Sequence, residues 1–241
     1  MVSAIVLAGG SGSRMGSSTA KQYMELGGVP VVVHALRAFR QAPVVDEIIL
    51  VVRAEDLEYA RRELVERYEL TKVKQIVSGG KERFDSVWNG ITASGTGKAE
   101  DILMIHDGAR PFVTEEMIRT SVMTAEKYGA CTAAVPAKDT IKVVDKEGFG
   151  IDTPDRSTLY QVQTPQTFRR DVILAAHEHF RKEPRPGITD DTMLVEEYLQ
   201  QRVAMVPGDY RNLKLTTPED LVVAEALLSC IQNDKTVIGT C

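Results

Sequence analysis

Apolar residues in this chain fall into short unbroken runs, separated by longer stretches in which they recur every three or four positions. The runs Ser3–Ala8, Ile48–Val52, Val73–Val77, Ile102–Ile105 and Thr132–Val135 predict strands. Near-continuous apolarity over so few residues is the mark of a strand covered on both faces. The longer stretches Val31–Gln41, Asp56–Tyr68, Arg83–Ala93 and Glu115–Tyr128 predict helices. In the second of them Leu57, Ala60, Leu64, Val65 and Tyr68 repeat at the spacing of one helical face. Strand and helix alternate, which implies right-handed crossovers and a mostly parallel sheet.

After Val135 the alternation breaks. Thr140–Asp145 alternates imperfectly, Lys146-Glu147-Gly148 turns the chain, and Leu159–Gln163 reads as a returning strand. The pattern predicts a two-stranded arm over about 138–160. An isolated ribbon is marginal in water, so a second subunit is expected to cover it. Helices resume at Asp171–Lys182 and Asp191–Gln200, followed by a strand at Arg202–Val206. The last helix opens on Thr217-Pro218-Glu219-Asp220, with a capping threonine, proline in the first turn and acids at the positive end of the dipole. Residues 233–241 show no period and read as a tail. The expected fold is α/β and Rossmann-like, a mostly parallel sheet with helices on both faces, in one domain (1–232) carrying the arm.

Composition narrows the function. With 241 residues and 43% hydrophobic content, one large α/β domain is expected. A net charge of −5 gives no global basic field, so nucleic acid is not an expected partner. Cys131, Cys230 and Cys241 share no metal spacing and suit a reducing, cytoplasmic location. No apolar run is long enough to span a bilayer. No basic segment followed by an apolar core marks a leader.

Candidate chemistry begins at the end of the first strand. Ala8 runs into Gly9-Gly10-Ser11-Gly12-Ser13-Arg14-Met15-Gly16, and Lys21 follows. Glycines let backbone N–H groups approach phosphate oxygens, and cations neutralise the rest. A tight turn accounts for one or two glycines; four, with Arg14 and Lys21, point to a polyphosphate. The loop is neither a Walker A sequence, since Gln22 follows Lys21, nor a dinucleotide fingerprint, since Met15 stands where glycine or alanine is required. Further polar clusters follow later strands: Gly79-Gly80-Lys81-Glu82-Arg83, Asp107-Gly108-Ala109-Arg110, and Asp139-Thr140. Each alone is an ordinary turn or cap, but together they mark the carboxyl rim where open α/β sheets bind ligands. Thr189-Asp190-Asp191-Thr192 reads as a capped helix start. Lys214 sits among apolar neighbours before the last helix. The four histidines form no metal set, and no nucleophile elbow or Cys–His pair is present.

These clusters, in order with Lys21-Gln22-Tyr23, Asp85-Ser86-Val87, His106-Asp107, Thr164-Pro165-Gln166 and Lys214-Leu215-Thr216, resemble the 2-C-methyl-D-erythritol 4-phosphate cytidylyltransferase family from residue 4 to about 230. Two glycines depart from the family pattern, Gly9 and Gly108, where alanine is usual. The resemblance implies a nucleotide-diphospho-sugar transferase type of fold. It also implies transfer of the cytidylyl group of CTP to methylerythritol phosphate, with Mg²⁺. Arg14, Lys21, Arg156 and Lys214 are then expected to act in catalysis. Ala8, Gly9, Gly10, Ser11, Gly12, Gly79, Gly80, Asp85, Ser86, Asp107 and Ala109 are expected to hold CTP. Arg110, Thr140, Arg156, Thr164, Thr189 and Lys214 are expected to hold the sugar phosphate, with Arg156 supplied across a homodimer, and Asp107 is the expected metal contact. The alternatives are a ribitol phosphate cytidylyltransferase, a sugar-1-phosphate transferase using another nucleotide, and a nucleotide-sensing module without catalysis.

Overall fold

In the computed structural model, which describes residues 1–10 and 21–238 (backbone alone at Lys21 and at 234–238), the strands are β1 Val2–Ala8, β2 Glu25–Leu26, β3 Val29–Pro30, β4 Glu47–Val52, β5 Val73–Ser78, β6 Ile102–Asp107, β7 Ala130–Pro136, β8 Val143–Val144, β9 Gly150–Asp152, β10 Tyr160–Arg169 and β11 Ala204–Pro207. The helices are α1 Val31–Gln41, α2 Leu57–Tyr59 with its wider-wound continuation Ala60–Glu66, α3 Arg83–Ala93, α4 Glu115–Tyr128, α5 Arg170–Lys182, α6 Asp191–Leu199 and α7 Pro218–Ile238. Seven strands form one sheet in the order β11-β7-β10-β6-β1-β4-β5. β1 runs parallel to β4 and β6, β4 to β5, and β7 to β11; β10 alone runs antiparallel, against β6 and β7.

Alternate residues of each central strand enter opposite cores. Ala4, Val6, Leu50, Val52 and Met104 pack under α1 and α4 with Leu36, Phe39, Met117 and Ile118. Ile5, Ile49, Val51, Leu103 and Ile105 pack on the other face with Val87 and Ile91 of α3, Ile173 of α5 and Leu194 of α6. Burial on both faces is why these strands carry no polar alternation. α3 lies close on the sheet because Gly90 faces Ile5; a Cβ there would come within 2.4 Å of the isoleucine methyl.

Three features differ from the sequence expectation. The strand expected to return in the arm is the inserted sheet strand β10, ten residues long. Its buried centre carries Gln163, Thr164, Gln166 and Thr167, so hydropathy does not reveal it. The arm itself narrows to the separate ribbon of β8 and β9. A hairpin the apolar pattern does not show, β2–β3, turns through Gly27 and Gly28, both at positive φ (58° and 74°), as a two-residue hairpin turn requires. The last helix continues through Ile238, past the expected end at 232. A third, small core of Leu26, Val31, Phe112, Leu215 and Ala224 joins this hairpin to α7.

Phe168 on β10 is fully buried against the α5–α6 layer. Phe168→Ala is expected to lower unfolding free energy by about 3–5 kcal/mol, measured by urea titration.

Candidate active site

The order of strands reverses about β1: β4 and β5 lie to one side of it, β6 and the later strands to the other. Such a switch point opens a crevice at the carboxyl ends of the strands. Here it is a cleft of about 370 Å³ lined by Leu7, Ala8, Gly9, Gly10, Gln22, Gly80, Lys81, Glu82, Arg83, Ser86, Asp107, Ala109 and Lys214. A larger cavity of about 460 Å³, between α1, residues 111–115 and α7, contains none of the expected site residues.

Asp107, the last residue of β6, organises the cleft floor. Lys214 Nζ lies 2.8 Å from its Oδ2, and Arg110 Nε lies 3.7 Å away. Burial by itself would raise the Asp107 pKa; the charges of Lys214, Arg83 and Arg110 overcome it and hold the carboxyl well below the usual range. Two loops are stitched together to bring these groups within reach. Leu215 N–H donates to Ala109 O at 2.9 Å, and Arg110 Nη1 donates to Asn212 O at 2.8 Å. Asn212, fully buried, donates in turn to Thr164 O at 2.9 Å.

Beneath Asp107 lies His106, also fully buried. Its Nε2 is 3.1 Å from Arg110 O. A carbonyl can only accept, so Nε2 carries the proton and Nδ1 accepts from Thr164 Oγ1 at 3.0 Å. That leaves the Thr164 oxygen to accept the Asp107 N–H at 3.1 Å. Burial pushes the imidazole pKa down to about 4.

The wall opposite is the loop between β5 and α3 together with the first turn of α3. Asp85 accepts from the Glu82 N–H at 3.2 Å in a reciprocal cap with Glu82, and Ser86 Oγ accepts from the Gly80 N–H at 3.1 Å. Gly80 has no alternative residue in this conformation: a Cβ would come within 2.2 Å of Asp85 Cβ. Arg83, on the cleft side, pairs at 2.6 Å with the fully buried Asp191, which His177 Nε2 contacts at 3.0 Å. Burial opposes the Asp191 charge, and Arg83 and His177 more than offset it, lowering its pKa.

The expected residues therefore divide. Ala8, Gly9, Gly10, Gly80, Ser86, Asp107, Ala109 and Lys214 line one cleft. Gly79 belongs to the loop after β5, anchored by its N–H to Val52 O at 2.7 Å, and Asp85 to the first turn of α3. Arg110 stands behind Asp107. Thr164 is buried, with its hydroxyl committed to His106 and Asp107. Thr140, Arg156 and Thr189 are exposed and outside the cleft lining, Arg156 holding Lys138 O at 2.8 Å. Ser11, Gly12 and Arg14 lie outside the described residues, as does the Lys21 side chain. Of the two glycines that depart from the family pattern, Gly9 has ordinary room for a Cβ, whereas one at Gly108 would meet Leu7 O at 2.9 Å.

The polar residues Lys81, Glu82, Arg83 and Gln22, with Leu7, complete the lining without having been singled out as ligands. Their signal in the sequence was membership of the polar cluster after β5 for Lys81, Glu82 and Arg83, and of the Lys21-Gln22-Tyr23 motif for Gln22. Asp190 caps α6 by accepting from Met193 N–H at 2.9 Å, as its sequence context predicts. Among the described residues no group of three or more His, Cys, Asp or Glu side chains converges to cage a metal.

Residues 2–230 match the family model described as 2-C-methyl-D-erythritol 4-phosphate cytidylyltransferase. The chain is 48% identical over 229 residues to the 2-C-methyl-D-erythritol 4-phosphate cytidylyltransferase of Clostridium botulinum, covering 95% of this chain and 100% of that one. It is 49% identical over 228 residues to the protein of the same name from Geobacter metallireducens, covering 94% and 97%. Its fold is similar to the crystal structure of 4-diphosphocytidyl-2C-methyl-D-erythritol synthase from Anaerococcus prevotii, with a TM-score of 0.81, 33% identity, and 95% and 96% of the two chains covered.

In the unfolded chain an imidazole takes up its proton near pH 6.5, whereas buried His106 resists it until about pH 4. The unfolded state thus binds more protons in that window, and stability falls as pH drops through it. This group is expected to cost about 3 kcal/mol between those limits. Urea unfolding of wild type and His106→Gln across pH 4 to 7 is expected to show a shallower acid loss in the variant by about that amount.

Proposed function

The chain belongs to the 2-C-methyl-D-erythritol 4-phosphate cytidylyltransferase family, and from that premise we propose that the cleft at the end of β1 is where CTP and methylerythritol phosphate meet. The enzyme is a nucleotidyltransferase that joins these two substrates, giving 4-diphosphocytidyl-2-C-methyl-D-erythritol and pyrophosphate, in isoprenoid precursor synthesis. A phosphate oxygen of the sugar phosphate forms a bond to the α-phosphorus of CTP as the bond to the bridging oxygen breaks and pyrophosphate leaves. A phosphomonoester has its second pKa at about 6, so the attacking group is already dianionic at neutral pH. No protein base is required, which fits a cleft whose nearest imidazole is buried and turned to backbone and hydroxyl partners.

The problem left to the protein is bringing two anions together. The observation that carries this reading is Lys214 at 2.8 Å from an ionised Asp107 on the floor of a glycine-walled cleft. An ammonium has three donors; Asp107 engages one and fixes the direction of the others. In this reading Lys214 holds the sugar phosphate, the Gly79–Ser86 loop holds the cytosine, and Arg14 and Lys21 close on the triphosphate. Arg83, also in the lining, adds positive charge to the same space.

The donor set fits a divalent cation of the Mg²⁺ kind, which takes one or two carboxylates and completes its shell with phosphate oxygens and water. Asp107 would hold it, and when bound it would neutralise phosphate charge. The arm presents Val144, Phe149 and Ile151 to solvent, each more than half exposed. Their cover in this reading is a second copy of the chain, which brings Arg156 to the neighbouring cleft. Location in the cytoplasm is supported by the free thiols Cys131 and Cys230.

The decisive assay is pyrophosphate release from CTP with Mg²⁺ and, in separate arms, methylerythritol phosphate and ribitol phosphate; turnover is expected with the first. Lys214→Ala is expected to cost on the order of 100- to 1,000-fold in turnover, the scale of one lost preorganised donor; unchanged turnover would refute its role. Arg156→Ala is expected to raise the KM for methylerythritol phosphate about 10-fold or more while CTP affinity holds, as loss of one charged contact implies. Equal loss for both substrates would remove Arg156 from the acceptor site.

A further inference from the structure

Gln22 is only 2% exposed although it lines the cleft. Its Nε2 donates to two carbonyls of the first glycine loop, Ala8 O at 2.7 Å and Gly10 O at 3.1 Å. Both protons of that amide are thereby used. In a trans peptide the C=O and the N–H that share the plane point in opposite directions. Fixing Ala8 O toward Gln22 therefore fixes the Gly9 N–H away from it. Gly9 also lies against the end of β4, with Val52 and Arg53 backbone atoms 3.7 to 3.9 Å from where its Cβ would stand.

The next residue is anchored as well. Tyr23 is buried, and its hydroxyl donates to Asp56 Oδ2 at 3.1 Å. Arg53 Nε holds the same carboxylate oxygen at 2.8 Å. The chain segment Lys21–Tyr23 is thus tied on one side to the carbonyls of the glycine loop and on the other to the turn that follows β4.

We propose that Gln22 is a positioning residue for nucleotide binding: it holds the carbonyls of Ala8 and Gly10 on its own amide, so that neither faces the phosphates of CTP and the Gly9 N–H is left to meet them. A carbonyl facing a phosphate repels it, and an N–H attracts it, so the direction of a peptide plane sets the sign of the interaction. The inference rests on the reading of this cleft as the CTP site.

Gln22→Glu keeps the shape and removes the donor; Gln22→Met keeps the approximate volume and removes both polar atoms, and it serves should the glutamate variant fail to fold. CTP affinity is measured by calorimetry, with KM for each substrate and the thermal midpoint recorded alongside. The expected result is a CTP affinity reduced about 10- to 100-fold, the scale of one lost hydrogen bond to a charged group. The KM for methylerythritol phosphate at saturating CTP is expected to stay within about 3-fold. CTP binding equal to wild type in a folded variant overturns the assignment. So does a parallel loss of both substrates that tracks a falling thermal midpoint, which marks a purely structural residue. Wild-type protein that binds no CTP overturns the functional reading itself, an outcome visible before any variant is made.

Discussion

A carboxylate kept charged in a protein wall is the constraint to which the site answers. Asp107 has little contact with water, and desolvation favours its neutral form. Lys214, Arg83 and Arg110 reverse that preference, and each comes from a different part of the chain. Lys214 sits in the loop after β11, Arg83 opens α3, and Arg110 closes the turn after β6. The ion pair exists because the fold delivers these loops to one point, and a buried charge left alone would be costly. Reaction chemistry and fold stability therefore meet in the same few side chains.

The antiparallel strand β10 shows how that delivery is done. Its polar residues are fasteners. Gln163 Nε2 donates to Asp209 O at 2.9 Å, and Thr164 O receives Asn212, which seats the loop carrying Lys214. Thr164 Oγ1 takes the Asp107 N–H. Gln166 donates to Asp190 and accepts from the Asp191 N–H at 3.1 Å, fixing the start of α6 and with it the partner of Arg83. A hydrophobic strand at this place would fill the core equally well and fasten none of these loops.

This is also why the sequence was legible in some places and not in others. β1, β4 and β6 announce themselves because both faces are covered by apolar layers. Gly80 and Asp107 stand out because glycine and charge are conspicuous next to strand ends, Lys214 because it is a charge among apolar neighbours, and Ser86 only through the family pattern. β10 hides because its buried side chains are amides and hydroxyls, which read as loop until their partners are known. Gln22 and His106 belong to recognisable motifs, yet their roles stay unread for a related reason: what they touch is mostly backbone, and backbone partners leave no trace in residue identity. Thr164 carries a signal in the family pattern, yet in the folded chain its hydroxyl faces Asp107 and His106.

The small third core between the β2–β3 hairpin and α7 has a different bearing. Leu26 follows the first loop by a few residues, Phe112 follows Arg110, and Leu215 follows Lys214; all three rest on α7 through Ala224 and its neighbours. Three arcs of the binding rim thus share one footing, apart from the two large layers that secure the sheet. Drift among those apolar residues between related chains would be felt as retuned anion affinity in an otherwise intact molecule, because the ground under the rim can tilt without the sheet giving way.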